Sequence, residues 1–334
     1  FFDKRLRPAI QTNRGCPFTC TFCVDGSHLV NKINKFSLER IKKELLYIAT
    51  NSKNGMATQW LSITDLNFGM YSRDIEICKF IRECQLEFGY PSNVATTTGK
   101  NSKEKIATTI KELHGALRMT MSVQSMDDTV LENIGRKNIS TSEMLEVMEK
   151  VDDADLKTTS EVIIGLPGDS FDTCLRTVEI LFNAGIDHIQ MYTLMLLPGS
   201  ELNTKSQRDK WGFKTKWRLL PRDFVQLENG NRILEVEEVV VGSKTLDFQD
   251  YLNLREIALI IWVVSHGILF DPVRKVLSSY EINTFNLIMQ MYKRRLDCED
   301  SVTNIFRSFR EATKDELWDD PNELIDHYQK DLEW

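Results

Sequence analysis

The sequence predicts an α/β protein in which helices flank a parallel sheet, followed by a smaller α-rich C-terminal part. Runs rich in apolar and β-branched residues recur along the first 200 residues, and amphipathic helical patterns separate most of them. Strands that alternate with helices in this way are typical of βα units around a parallel sheet. The six predicted strands span residues 9–12, 58–64, 93–97, 117–123, 158–164 and 188–194.

The predicted helices begin near residues that favour a helix N-terminus. Ser37 and Ser72 precede the first two helical patterns, and Ser170 precedes a later one. Ser140 and Glu143 have the spacing of a capping box, in which two residues bond reciprocally to each other's backbone. These local signals predict helices between most of the strands, as βα units require.

The character of the sequence changes near Trp211. An aromatic stretch that includes Pro221 has no clear period and is predicted to be irregular. Further on, the pattern is almost wholly helical. We therefore predict a core over residues 1–205 and an α-rich region of unknown role over residues 206–334.

Three cysteines, Cys16, Cys20 and Cys23, form a C-x3-C-x2-C pattern directly after the first predicted strand. A closed structural zinc site or a simple electron-transfer cluster normally takes four protein ligands. Three thiolates from one loop instead suggest an iron–sulfur cluster with one iron left open to a small molecule. Three other interpretations stay open: ordinary buried thiols, a zinc knuckle completed by His28, and a redox dithiol.

This cysteine spacing, with Phe22 at the aromatic position before the last cysteine, resembles the radical S-adenosylmethionine (SAM) superfamily. The resemblance implies a partial (β/α)6 barrel over the predicted core. It also implies that Cys16, Cys20 and Cys23 bind a 4Fe–4S cluster whose free iron chelates SAM. An electron from the cluster would cleave SAM to a 5′-deoxyadenosyl radical, which abstracts hydrogen from a substrate that the sequence does not identify.

The resemblance also implies contacts to SAM. Asp65 occupies the position where the wider family often has a Gly-Gly-Glu element. Its carboxylate would accept hydrogen bonds from the amino group of SAM. Gln124 and Glu161 would hold the ribose hydroxyls, and Arg136 the carboxylate, which suits the hydrogen-bonding capacity of each side chain. The alternatives are a turn-forming Asp65, a Gln124 amide bonded to backbone, and an Arg136 charge in a polar surface loop.

The Asp-x-Asn-Phe-Gly sequence that begins at Asp65 resembles the branch of the family with an upstream cobalamin-binding domain. This implies cobalamin as a further cofactor and methyl transfer in a longer parent protein, although the Asp-x-His-x-x-Gly cobalamin signature is absent from these residues. The alternatives are a cobalamin-independent oxidation, rearrangement or sulfur insertion, and a non-catalytic iron–sulfur or zinc protein.

The amino-acid composition limits the classes of binding partner and the cellular compartment that we expect for the protein. The formal charge of −7, from 42 basic and 49 acidic residues without a block of like charge, gives no indication of nucleic-acid binding. The longest apolar run is too short for a membrane span, and seven cysteines, an odd number, fit a reducing compartment. We therefore expect a cytoplasmic protein that uses a small-molecule substrate and an electron donor such as flavodoxin or ferredoxin.

Overall fold

The structure is a computed structural model. It describes residues 6–27, 29–52, 58–99, 101, 103–152, 158–230, 232–266, 269–297 and 301–331.

All six predicted strands are present, and they form two three-stranded parallel sheets. In the first sheet β4 lies between β1 and β5, and in the second β7 lies between β6 and β8. The bounds are β1 Ala9–Ile10, β4 Trp60–Phe68, β5 Asn93–Thr98, β6 Met119–Thr120, β7 Thr158–Ile164 and β8 His188–Thr193. A short antiparallel pair, β2 Asn13–Arg14 and β3 Asn34–Lys35, flanks the cysteine loop.

The two sheets adjoin between β5 and β6. The backbone N–H of Val94 donates to the carbonyl of Ala116 over 2.8 Å, and the Thr98 hydroxyl donates to the carbonyl of Thr120 over 2.5 Å. The six strands therefore follow one another in chain order around a partial barrel that is not closed. This confirms the predicted fold class.

Six helices pack around these strands as the βα pattern predicts. They are α1 Leu38–Ser52, α2 Ser72–Phe88, α3 Lys103–Lys111, α4 Asp128–Asn133, α5 Thr141–Asp152 and α6 Phe171–Asn183. The predicted caps form at α5 and α6. The Ser140 hydroxyl accepts from the backbone N–H of Glu143, whose carboxylate accepts from the N–H of Ser140, and Ser170 accepts from the N–H of Thr173.

The region predicted to be irregular is a long antiparallel hairpin, which corrects the sequence interpretation. After α7 Lys205–Trp211, strand β9 Lys214–Gln226 pairs with β10 Arg232–Gly242. The register jumps from Leu234↔Phe224 to Val236↔Leu219, so Pro221 lies within a bulge. A bulge tolerates proline because no ladder hydrogen bond is required there, and it also breaks the alternation by which a strand is recognised.

The hairpin and the C-terminal helices share the core of the barrel. Strand β10 extends the second sheet, because Val240 N–H donates to the Leu194 carbonyl over 2.8 Å. Helix α8 packs on β8, and its buried residues Tyr251 and Ile257 join the same hydrophobic cluster as Ile63 and Val162. The helices are α8 Phe248–His266, α9 Asp271–Ser279, α10 Thr284–Arg294, α11 Ser301–Asp315 and α12 Pro321–Asp331. The domain boundary at residue 205 stays a prediction.

Buried charge joins the C-terminal helices. The Glu256 carboxylate on α8, which is 1% exposed, pairs with Arg295 over 2.7 Å and with Arg310 over 2.9 Å.

Among the described helices, none is by itself long and apolar enough to cross a membrane. Helices α8 and α9, which meet at a bend of 87°, pass such a test only as a pair and only on length and composition.

Candidate active site

The cysteine loop follows β2 and folds back tightly on itself. Gly15 has a φ of +100°, and a side chain there would collide with the carbonyl oxygen of Lys32. The N–H of Cys16 donates to the Val30 carbonyl over 3.1 Å. Cys16 and Cys20 are each 2% exposed, whereas Cys23 is half-buried.

Two neighbouring segments hold this loop from outside. The N–H of Thr21 donates to the Ile134 carbonyl over 3.0 Å, and the N–H of Leu202 donates to the Thr21 carbonyl over 3.0 Å. Phe22 packs against a small apolar cluster that includes Ile134 and Leu202. Phe22, which the resemblance assigns to cofactor binding, therefore also anchors the loop to the region after β8.

Asp65, near the C-terminal end of β4, lies beneath the start of the loop. It is 2% exposed, and its carboxylate accepts four hydrogen bonds, two from Thr12 and two from Asn13. Burial raises the pKa of Asp65, and the hydrogen bonds from Thr12 and Asn13 oppose that rise. The carboxylate thus ties β4 to the segment that leads into the cysteines. Its hydrogen bonds in this structure are made within the protein, although the sequence predicted that Asp65 contacts SAM.

Asn67, two residues further along β4, was not singled out from the sequence. Its side chain is 1% exposed, and Nδ2 lies 3.3 Å from Cys16 Sγ. Its Oδ1 is buried and accepts no hydrogen bond from the described residues. The Asp-x-Asn-Phe-Gly sequence contains this residue, but the contact with Cys16 spans 51 positions and no local pattern indicates it.

Gln124 lies where the chain leaves the second sheet after β6. Its φ is +66°, a conformation that costs roughly 1–3 kcal/mol for a residue other than glycine. Backbone bonds to Glu161 and Ile163 hold it there, over 2.8 and 3.0 Å. The side chain is 8% exposed, and its Oε1 is buried without a donor among the described residues. A strained residue with an unpartnered polar atom is characteristic of a binding site.

Glu161 lies on β7 and is partly exposed. Its Oε2 accepts from the Ser122 hydroxyl over 2.6 Å. Tyr192, on the adjacent strand β8, is 45% exposed. Burial raises the pKa of Tyr192, and the nearby Glu161 charge adds to that rise. The two side chains therefore lie close together on an accessible surface.

Arg136 is buried between the cysteine loop and the second sheet, not in a polar surface loop. It is 7% exposed, its Nε donates to Asn138 over 2.8 Å, and its Nη2 donates to the Ser122 carbonyl. Burial lowers the pKa of Arg136, while Cys20, Glu161 and Cys16 favour its charged form. The guanidinium thus lies between the thiols and the Glu161 carboxylate.

The turn after β7 supplies backbone and one buried carboxylate. Gly165 and Gly168 have φ values of +88° and +83°, and Asp169 follows them. Asp169 is 2% exposed and accepts from the Thr173 hydroxyl over 2.5 Å at the start of α6. Burial raises the pKa of Asp169 to about 7. This carboxylate belongs to the helix cap.

The donor set suits an iron–sulfur cluster better than a single metal ion. Among the described residues, Cys16, Cys20 and Cys23 form no disulfide, and two of these three are buried. No group of three His, Cys, Asp or Glu side chains in these ranges surrounds one metal-ion position. The thiolates of a 4Fe–4S cluster bind different iron atoms, so they need not converge on one point. His28 and Cys298 lie outside the described residues.

The fold and the loop define a class: a partial parallel βα barrel with three cysteines beyond its first strand, where the strand ends of such barrels carry chemistry. The family model of the radical SAM superfamily matches residues 10–181, just over half of the chain. This chain therefore belongs to the radical SAM superfamily. Members of this superfamily are enzymes whose cofactors are a 4Fe–4S cluster and SAM, and they require a reductant.

Two curated relatives are methyltransferases. The chain is 33% identical over 209 residues to the cobalamin-dependent radical SAM methyltransferase TokK of Streptomyces tokunonensis, covering 61% of this chain and 30% of TokK. It is 30% identical over 247 residues to the 2-(S-pantetheinyl)-carbapenam-3-carboxylate methyltransferase of Streptantibioticus cattleyicolor, covering 73% of this chain and 35% of the relative. The chain thus spans about a third of the length of these relatives.

A solved structure supports the fold. The radical SAM methyltransferase TsrM from Kitasatospora setae, with tryptophan substrate and a SAM analogue bound, superimposes with a TM-score of 0.52 at 14% identity. The match covers 70% of this chain and 48% of TsrM. At this identity the likeness establishes a shared fold.

Proposed function

We propose that this chain is the catalytic core of a cobalamin-dependent radical SAM methyltransferase that acts on a small molecule. The observation that carries the proposal is the buried thiol loop beside an accessible polar face formed by Glu161 and Tyr192. The names of the two methyltransferase relatives support methyl transfer as the outcome. The substrate class and the use of cobalamin are both part of the proposal.

Cys16, Cys20 and Cys23 would hold the cluster. Burial of the first two excludes water from the thiolates, and the more exposed Cys23 lies on the side of the loop nearer to solvent. Backbone bonds within the chain tie the loop to Val30, Ile134 and Leu202. Such preorganisation reduces the ordering that cluster assembly requires.

SAM would bind between the loop and the second sheet. Glu161 and Gln124 suit its ribose hydroxyls, since one accepts and the other both donates and accepts. Arg136, already close to Cys20, suits its carboxylate. For the amino group we favour the vacant acceptor Oδ1 of Asn67 over Asp65, because both Asp65 oxygens already accept hydrogen bonds. Phe22 would hold the loop against the barrel.

When bound, the cluster and SAM supply reductive cleavage of SAM to methionine and a 5′-deoxyadenosyl radical. The chain's own residues orient SAM and exclude water. The substrate would bind at the accessible face around Tyr192. A flavodoxin- or ferredoxin-type protein would supply the electron. We place the enzyme in the cytoplasm, where thiols stay reduced.

The test is anaerobic reconstitution with iron and sulfide, followed by reduction and addition of SAM. We expect a 4Fe–4S electron paramagnetic resonance signal that changes when SAM is added, together with 5′-deoxyadenosine. Replacing Cys16, Cys20 or Cys23 by Ala should abolish both. Cys84→Ala, which removes a buried thiol on α2 whose pKa is raised to about 11 by burial, should leave both intact.

Methyl transfer is tested separately by supplying cobalamin and substrate candidates. A methyl group donated by SAM leaves S-adenosylhomocysteine, so we expect this product alongside 5′-deoxyadenosine. Formation of 5′-deoxyadenosine alone with every candidate would favour a cobalamin-independent oxidation or rearrangement. A cluster indifferent to SAM, or zinc that persists through anaerobic reconstitution, would contradict the whole proposal.

A further inference from the structure

Asn67 is placed to act on the cluster through one of its ligands. It lies at the C-terminal end of β4, between Asp65 and the fully buried Phe68, and its Nδ2 is 3.3 Å from Cys16 Sγ. We propose that Asn67 is a positioning residue whose amide donates a hydrogen bond to Cys16 and raises the reduction potential of the cluster. This inference rests on the proposed function, in which Cys16 is a cluster ligand.

The chemistry of a ligating sulfur fixes the orientation of the amide. A cysteine bound to iron is a thiolate, which accepts hydrogen bonds and donates none. The Asn67 side chain must therefore present its NH2 group to Cys16, as it does here. With 1% of its surface exposed, Asn67 has almost no contact with solvent, so water does not compete effectively for this donor.

The surroundings keep the donor in place. Thr12 and Asn13 bond to Asp65 two residues before Asn67, so the segment that leads to Cys16 and the strand that carries Asn67 are tied together. On the other side, Phe68 pairs with Thr98 in the ladder between β4 and β5. The distance from amide to sulfur is thus set by two fixed segments.

A donor at this position shifts the potential in a defined direction. The reduced cluster carries one more negative charge than the oxidised cluster, and part of that charge resides on the thiolate sulfurs. A hydrogen bond to a sulfur therefore stabilises the reduced form more, and such bonds are among the factors that set cluster potentials. Outer residues that bond to metal ligands commonly change affinity or activity by about 10- to 100-fold.

The experiment compares the wild-type chain with Asn67→Leu, which keeps the branching of the side chain at Cγ and removes the donor. The midpoint potential is measured by redox titration followed by electron paramagnetic resonance, without SAM. We expect the variant potential to be lower by about 59 mV, which corresponds to a tenfold change in a one-electron equilibrium constant. We also expect faster loss of iron to a chelator. Asn133→Leu is the matched control, because the Asn133 amide donates to the Pro167 carbonyl and not to a sulfur.

The outcomes separate this inference from the proposed function. If the wild-type chain assembles no 4Fe–4S cluster, the proposed function fails. If wild-type and Asn67→Leu hold clusters with equal potentials, the inference is overturned and the proposed function stands. Should the variant not fold, pulsed resonance on the reduced wild-type cluster with ¹⁵N-labelled asparagine decides: a nitrogen coupling supports the hydrogen bond, and its absence overturns it.

Discussion

The two parallel sheets use their polar strand-end residues differently. In the first sheet, the Asp65 carboxylate is 2% exposed and accepts four hydrogen bonds from the segment before the cysteine loop. In the second sheet, Gln124 has a positive φ and an Oε1 without a partner among the described residues, and Glu161 bonds to Ser122 beside the exposed Tyr192. The Asp65 carboxylate of the first sheet is saturated by internal hydrogen bonds, whereas Gln124 and Glu161 of the second sheet offer groups to a ligand.

This difference assigns one task to Asp65 and another to Gln124 and Glu161. A saturated carboxylate under the loop fixes the cysteines, and rigid support of this kind gives a site its precision. Strained and partly unpartnered groups opposite the loop are costly in the free protein, and a ligand that bonds to them recovers that cost. Substitution of Asp65 should therefore reduce folding stability, whereas substitution of Gln124 or Glu161 should reduce ligand affinity.

The largest expected effect is the loss of stability in Asp65→Ala. Removing the carboxylate leaves donors on Thr12 and Asn13 without an acceptor, and each such buried group costs about 1–3 kcal/mol. We expect the free energy of unfolding to fall by about 5 kcal/mol. Denaturant unfolding measures it, with Glu146→Ala on the exposed surface of α5 as a control. A variant as stable as the wild type would end the assignment of Asp65 to the framework.

The next prediction concerns the pH dependence of folding stability. It extends the comparison, since the second sheet also contains a structural carboxylate. Asp169 has its pKa raised by burial from 3.8 to about 7, so its folded form favours the protonated state. Its stabilising contribution is complete below about pH 4 and is lost as the pH rises through about 7. Asp169→Asn stays neutral, so wild type should lose about 3 kcal/mol relative to this variant between pH 5 and pH 8. Parallel stability curves for the two proteins would contradict the burial argument.

The sequence was sufficient for the framework because its signals are local. Strand runs, the caps at Ser140 and Ser170, and the cysteine spacing each lie within a few residues, and the fold and the family followed from them. The hairpin was missed because Pro221 and its bulge interrupt the alternation of β9. A bulge is specified by the partner strand, which no local window contains.

The site was less predictable because its contacts are distant along the chain. Asp65 and Thr12 are 53 positions apart, and Asn67 and Cys16 are 51 apart. A motif can nominate Asp65, but only the packing of β1 on β4 determines that its oxygens are occupied and that Asn67 keeps a vacant one. Burial of Arg136 beside the thiols was likewise not readable from its polar sequence neighbours.

A smaller effect, on the affinity for SAM, is expected for Glu161→Gln. The substitution keeps an acceptor for Ser122 and removes the charge that we propose for the ribose hydroxyls. We expect the dissociation constant for SAM to rise about tenfold, or about 1.4 kcal/mol, with stability unchanged. Titration of SAM into the reconstituted protein measures it. Glu143→Gln, the same change on the exposed surface of α5, should bind SAM as the wild type does. A loss of stability without a loss of affinity would contradict the ligand-binding role of Glu161 and give it a structural role like that of Asp65.

The smallest effect tests the strain at Gln124. Glycine adopts a φ of +66° without steric cost, so Gln124→Gly should gain up to about 1 kcal/mol of stability while losing SAM affinity. His114→Gly is the matched control, because His114 also has a positive φ but lies at an exposed turn. It should gain similar stability and keep its affinity. If Gln124→Gly were destabilised while binding SAM normally, Gln124 would be a framework residue like Asp65, and the strain would serve the fold instead of the ligand.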